Sequence, residues 1–231
     1  MMEQIKKENE SLAFLKDLYV KNLETSSSMK EALYASLKEG ILSNQLKTEI
    51  TENQISKLLG ISRTPVREAM QVLQTDGLLA ISAGKKAKVL GLSQKDASDI
   101  SLVLQTLHIL ATGLFIDNAS AEDYQKIEED IALASFYCDR KDPHNMAAQL
   151  TKFHVDIAVG SGNRWLADTV TRLLSFAAPA REYVLSRPGR LPNSLHEHMA
   201  ILDAIKKHDK LAAKKLLVHH VESAFTSTKN S

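Results

Sequence analysis

Residues 51–89, TENQISKLLGISRTPVREAMQVLQTDGLLAISAGKKAKV, constrain the fold of this chain more than any other stretch. Thr51 followed by Gln54 has the pattern of a reciprocal capping box, hydroxyl to a backbone N–H and amide back to the cap, so a helix starts there. Ile55, Leu58 and Leu59 give that helix one apolar face. Gly60 supplies a turn at low steric cost. Thr64 and Pro65 read as the N-cap and first-turn proline of a second helix. Val66, Ala69, Met70 and Leu73 recur at helical spacing and turn to the core. Arg63 and Arg67 are left on another side, near the positive end of the helix dipole. Asp76 and Gly77 close the helix. Runs at 78–81 and 86–90 then flank Ser82-Ala83-Gly84-Lys85, which suits a hairpin. Two short helices, a tight turn and a hairpin make a winged helix-turn-helix, a shape that lays one helix in the major groove of duplex DNA.

Taken singly, either arginine reads as an ordinary solvated cation. The combination is more specific. GISRTPVREAMQVLQTDGLL, with SRTPVRE followed at fixed distance by L-x-x-x-GL, resembles the DNA-binding signature of the GntR family of bacterial transcription regulators. The resemblance implies that Arg63 and Arg67 contact bases and phosphates, and that Ser62 and Thr64 contact phosphates. It also implies that Gly84 is the turn of a wing whose tip enters the minor groove, with Lys85 and Lys86 adding phosphate or minor-groove contacts. Asn53 stands where the FadR branch of the family often has a basic residue. Asparagine still hydrogen-bonds a base, so Asn53 is a candidate contact with an altered operator preference. Upstream, LKEGIL is similar to the family's I-x-x-G-x-L segment, with Asn44-Gln45 in place of the usual Pro-Gly.

The 231 residues suffice for one large domain or two small ones. A composition of 44% hydrophobic and 25% charged residues indicates a globular chain rather than a disordered one. Net charge is only +1, but between Ser28 and Leu92 nine Lys/Arg against six Asp/Glu give +3. Phosphate neutralisation is a local matter, and a dimer doubles that local charge. The longest apolar run, residues 109–116, is far below the roughly 18 residues that read as a membrane span, so no membrane association is expected. The charged start MMEQIKKENE and the single cysteine, Cys138, suit a cytoplasmic protein without an internal disulfide.

Three segments follow from the pattern. Residues 1–28 form a helical extension, with Ile5, Leu12, Leu15, Tyr19 and Leu23 at roughly helical spacing and a Ser26-Ser27-Ser28 break. Residues 29–92 form the winged helix-turn-helix, opened by a helix carrying Ala32, Leu33, Ala35, Leu37 and Ile41. Residues 93–231 show no clear strand. They read as an all-α bundle of about six helices near 96–118, 121–139, 143–160, 165–185, 194–207 and 210–226. The fold class is therefore mainly α, a winged helix-turn-helix with a small β-hairpin followed by a helical bundle.

Four of the eight histidines, His108, His154, His198 and His220, fall on four different bundle helices. Each alone reads as a half-buried core histidine. Together they are candidates for a site, because bundles build metal and ligand sites from inward side chains on facing helices. FHVDIAVGSGN, EHMAILDAIKKHD and AAKKLLVHHV resemble the landmarks of the FCD effector domain of FadR-type GntR regulators. That resemblance implies a divalent metal on one aspartate and three histidines, the latter at His154, His198 and His220. The aspartate position is Leu150, which has no donor atom. Three arrangements stay open: three imidazoles plus water or an effector carboxylate on Zn²⁺ or Ni²⁺, His108 as a fourth ligand, or no metal and direct hydrogen bonds to an organic anion. Arg181 is the candidate for an anion contact beside His108.

The expected function is a homodimeric, sequence-specific DNA-binding regulator, a repressor on a palindromic operator in double-stranded DNA. Its release would follow binding of a small organic acid in the bundle. Two rivals are a metal-dependent hydrolase on the histidine cluster and a non-specific architectural DNA-binding protein. Against the hydrolase, the sequence shows no nucleophile motif and no partnered general base.

Overall fold

The computed structural model describes residues 2–46, 49–81 and 86–229, and among these the side chains of all but residues 2–12, 94, 179 and 224–229. The chain divides into two compact units, Met1–Ser93 and Gln94–Ser231.

In the first unit α1 (Met2–Leu23) packs on α2 (Met29–Leu42). Leu15, Leu18 and Tyr19 are buried with Ala32, Leu33, Leu37 and Ile41, and Asn22 Nδ2 donates to Ser36 Oγ at 3.0 Å. Residues 15–22, within the stretch set apart in the sequence as an extension, thus share the core of this unit. The Leu23 of the expected stripe is exposed. α3 (Glu52–Leu59) opens with the reciprocal box between Thr51 and Gln54 and ends at Gly60 in the left-handed region, φ 66°. Only Ile55 of its apolar face is fully buried.

α4 (Arg63–Thr75) begins two residues earlier than its Thr-Pro pair suggests. Ser62, extended at φ −67° and ψ 159°, is the N-cap, which puts Pro65 at the third helical position. The first-turn N–H groups have no intrahelical acceptor, so proline is tolerated there as well as at the first position. Val66, Ala69, Met70 and Leu73 are buried.

The wing also holds more than a hairpin. β1 (Ile50–Thr51), just before α3, pairs antiparallel with β3 (Lys86–Val89), which pairs with β2 (Leu79–Ile81). The result is a three-stranded sheet in the order β1-β3-β2. Two residues carry too little periodicity to announce a strand, and the ladder to β3 supplies what local pattern does not. The expected turn residues Gly84 and Lys85 lie outside the described residues.

The second unit comprises α5 (Gln94–Asn118), α6 (Ala121–Asp139), α7 (Pro143–Gly160), α8 (Arg164–Leu185), α9 (Arg190–Lys206) and α10 (Lys210–Lys229). α9 starts four residues before the expected Ser194. Gly189, at φ 74°, makes the entry, and Pro192 falls harmlessly in the first turn. Phe115, Ile127, Met146, Phe153, Ile157, Val170, Ile201 and Leu217 form one core. α7 approaches α5 closely at Gly160, where a Cβ would stand 2.6 Å from the Phe115 ring.

An 18-residue window within residues 95–118 of α5 has a mean hydropathy of 1.6, so the helix is long and apolar enough to cross a membrane, which the short run at 109–116 does not reveal. The helix nevertheless packs against α7, α8 and α10 and buries Leu104, His108, Ala111 and Phe115 in the core.

Candidate functional site

Two places concentrate the candidate residues. The first is α4. Arg63, Arg67 and Gln71 recur every four residues, so they share one face, and all three are exposed. Ser62 and Thr64 are exposed at the N-terminus of the helix, and the Ser62 hydroxyl makes no capping bond. An unengaged hydroxyl at the positive end of a helix, beside two guanidinium groups, is an arrangement that accepts a phosphate. Asn53 and Lys57 are exposed on α3. Glu68, next to Arg67, is paired with Lys30 at 3.4 Å. Lys86 lies 3.4 Å from Glu49 with both side chains well exposed, a pair weak enough for a phosphate to displace. Sequence reasoning passed over Lys57 and Gln71. Their positions, four residues beyond Asn53 and Arg67, were the available signal.

The second place is the bundle. His108 comes from α5, His154 from α7, His198 from α9 and His220 from α10. The helical faces that bury Phe153 and Ile201 carry His154 and His198 inward with them. His154 Nε2 lies 3.1 Å from His198 Nε2. His198 Nδ1 is 2.7 Å from the Ser194 carbonyl, which only an N–H can satisfy, so its Nε2 keeps the lone pair. His220 Nδ1 is 2.6 Å from Glu197 Oε2. One ligand atom from each of His154, His198 and His220 lies within 4.8 Å of the others. This donor set fits a divalent ion: neutral imidazoles on three helices, two with the far nitrogen held by an acceptor.

Leu150 and His108 bear on a fourth ligand. Leu150, one turn before His154, is 1% exposed and belongs to the apolar core. His108 stacks on His154 at 4.3 Å between centroids and 26° between planes, so it offers a ring face and stands outside the three-nitrogen group. Of the three arrangements left open by the sequence, the one with His108 as a fourth ligand is not favoured by this stacked geometry.

Arg181, the candidate anion contact, lies on α8 with its Nη1 buried and without a hydrogen-bond partner. Burial pulls its pKa down to about 10, still leaving it charged at neutral pH. Burial also lowers the four histidines, His108 to about 3, and the Arg181 charge pushes each further in the same direction.

Missed altogether were Arg190 and Glu197. Arg190 Nη1 and Nη2 donate to Glu197 Oε1 and Oε2 at 2.7 and 3.1 Å. Burial alone would raise the Glu197 carboxyl. The bonds from His220 and Arg190 and their charges overcome it and hold it at about 2. Their seven-residue spacing puts them on one face of α9, a signal that the neighbouring histidines obscured.

The buried rings make the second unit acid-sensitive. Each folded pKa lies below the unfolded value near 6.5, so in that window the unfolded chain holds more protons. The stability of the neutral state is complete above about pH 6.5 and falls as pH drops, by up to about 1.4 kcal/mol per pH unit for each group. Asp130, raised to about 6 mainly by burial and opposed by its bond to Lys152, works the other way and relieves strain as pH falls. Four groups against one set the sign. The unfolding midpoint, followed by circular dichroism, is expected to fall between pH 6.5 and 5. A midpoint that is flat or rises over that interval would contradict neutral buried histidines.

Comparison with known proteins bears on both places. Residues 29–89 match the bacterial regulatory proteins of the gntR family, and residues 99–223 match the FCD domain. The HTH-type transcriptional regulator YdhC of Bacillus subtilis is 30% identical over 190 residues, which cover 81% of this chain and 85% of that protein. The chain belongs to the GntR family. It is a GntR regulator of the FadR-like architecture, a winged helix-turn-helix joined to an FCD domain. A probable D-xylose utilization operon transcriptional repressor of Paenarthrobacter nicotinovorans is 26% identical over 216 residues, covering 89% of each chain. Among solved structures, E. coli McbR/YncC has the same fold, with TM-score 0.72 and 20% identity over 87% of this chain and 97% of that one. The relatives are transcription regulators, not hydrolases, and the GntR regulator is not an enzyme.

Proposed function

We propose that this GntR regulator is a cytoplasmic homodimeric repressor that binds a palindromic operator in double-stranded DNA. In this reading it lets go when a small organic acid enters the FCD bundle. The observation that carries the effector half is Arg181. A buried guanidinium with an unpartnered N–H group is costly unless something satisfies it. The Arg181 charge acts on the four bundle histidines, and burial keeps those imidazoles neutral, so they offer it no counter-charge. A carboxylate supplies both the acceptor and the charge. His108, in contact with His154, lines the same site.

His154, His198 and His220 would hold a divalent ion, Zn²⁺ or Ni²⁺, through their Nε2 atoms, and such an ion would supply open positions for a carboxylate oxygen. With no acidic ligand at Leu150, and with Glu197 already engaged by Arg190 and His220, an acidic effector would offset the positive charge of the ion and of Arg181. This favours a ligand with more than one acidic group when metal is bound.

For the DNA half, Arg63 and Arg67 read base edges and phosphates, Ser62 and Thr64 take phosphates, and Asn53 reaches a base from α3. Gly84, Lys85 and Lys86 form the wing contact. A second copy of the chain is the partner that a palindromic site calls for. α5 supports it by exposing Leu102, Val103 and Leu110, as does α8 with Trp165 at 79% exposure. The effector releases DNA by binding the two states of the dimer with different affinity.

The test is selection of bound DNA from a random pool with the full chain, followed by release with a panel of carboxylic acids. An inverted pair of half-sites and release by particular acids are expected. An enriched single half-site removes the dimer. Enrichment of nothing leaves the non-specific architectural protein. Release by none of the acids removes the effector class.

A further inference from the structure

We infer that Glu197, clamped by Arg190, is the positioning residue that sets the tautomer of His220 and so completes the three-nitrogen group. The inference rests on the metal reading of that group for its consequence, but not for its first step.

Glu197 does not face the group itself. It lies on α9 between Arg190 and the next helix, 13% exposed, and its two oxygens are engaged in different ways. Both take the fork of Arg190, at 2.7 and 3.1 Å. Oε2 also meets His220 Nδ1 at 2.6 Å. A carboxylate in a bidentate guanidinium pair is ionised and has no proton to give. The proton in the Glu197–His220 bond therefore belongs to His220 Nδ1. Its Nε2 is left with a lone pair, the form that binds a metal.

The bond that orients His220 comes from α9, not from its own helix. His198 has its own anchor in the Ser194 carbonyl, one turn back on the same helix. His220 belongs to the following helix, and its orientation depends on a side chain reaching across from α9. Arg190 is the reason that side chain holds still. It is 8% exposed, stands at the first position of α9 directly after Gly189, and occupies both oxygens at once. A lysine there would keep the charge but not the fork. The clamp thus ties the α8–α9 junction, through Glu197, to one of the three nitrogens.

Glu197→Gln is the test, in the full-length chain. The amide keeps the size of the side chain but no longer dictates which nitrogen of His220 is protonated. Two measurements are needed. The first is the His220 tautomer, read by long-range ¹⁵N–¹H correlation after chelator treatment. It is expected to be Nδ1–H in the parent protein and mixed or reversed in the variant. The second is Zn²⁺ or Ni²⁺ titration, in which the variant is expected to bind about 10–100-fold more weakly. Arg190→Lys is expected to shift both readouts in the same direction by less, and it stands in if Glu197→Gln fails to fold.

An unchanged tautomer, or an affinity within threefold of the parent, overturns the proposal even if stability drops, since a purely structural ion pair would lower stability alone. If the parent protein binds neither ion, the metal reading under the proposed function fails. The tautomer comparison then still decides whether Glu197 positions His220.

Discussion

Replacing Arg63 with alanine is expected to weaken binding to the selected operator by about 1–3 kcal/mol, roughly 5–150-fold, and to relax base preference at one position of each half-site. The argument is geometric. Arg63 is the first residue of α4, exposed, beside an N-cap whose hydroxyl is unengaged. A helix enters the major groove by its N-terminal end, and there a guanidinium reaches a guanine edge with two parallel bonds. Arg67, one turn along the same face, serves the same surface. In the proposed dimer, the loss applies at both half-sites. The measurement is an affinity titration against the operator and against a scrambled duplex, at fixed salt. A loss of equal size on both duplexes would make Arg63 a phosphate contact rather than a base reader. No loss on either would remove α4 as the reading helix. The fold is not at risk in this variant, since the core face of α4 is the opposite one, Val66, Ala69, Met70 and Leu73.

Replacing Arg181 with methionine is expected to do two opposite things. Without effector the protein becomes more stable, because a half-buried charge with a buried, unsatisfied Nη1 is exchanged for an apolar chain of similar length. A gain on the order of 1–3 kcal/mol is expected, the size of the desolvation cost of an unsatisfied buried group. With effector the response is lost: DNA stays bound at acid concentrations that release the parent protein. Thermal unfolding and a release titration check the two arms. If stability falls and release persists, Arg181 is a structural arginine and the anion sits elsewhere. The combination of gained stability and lost response is the mark of a site that carries strain for the sake of a ligand.

Much of the winged helix-turn-helix was legible in the chain. The Thr51–Gln54 box, the Gly60 turn and the core face of α4 are all local, settled by neighbours within a turn or two of helix. Local rules therefore find them. The N-cap of α4 was misplaced by two residues, at Thr64 instead of Ser62, because proline is accepted anywhere in the first turn. Strand β1 was not seen, because two residues hold no period and its existence depends on β3, more than thirty residues away.

The bundle divides differently. Its helices are local and were readable to within a few residues, and the four histidines could be named as a set. How they combine was not local. The stacking of His108 on His154, which takes it out of the ligand group, joins α5 to α7. The unpartnered Nη1 of Arg181 depends on what α8 leaves around it. The bond between Glu197 and His220 links α9 to α10. Residue order alone says which side chains a helix turns inward, since that follows from a period of 3.6. Which inward side chain then meets which, and whether a buried charge finds a partner, is a matter of interhelical packing. That is why the GntR family and its helix-turn-helix could be recognised from the chain, while the contacts of His108, Arg181, Arg190 and Glu197 depend on how the helices pack together.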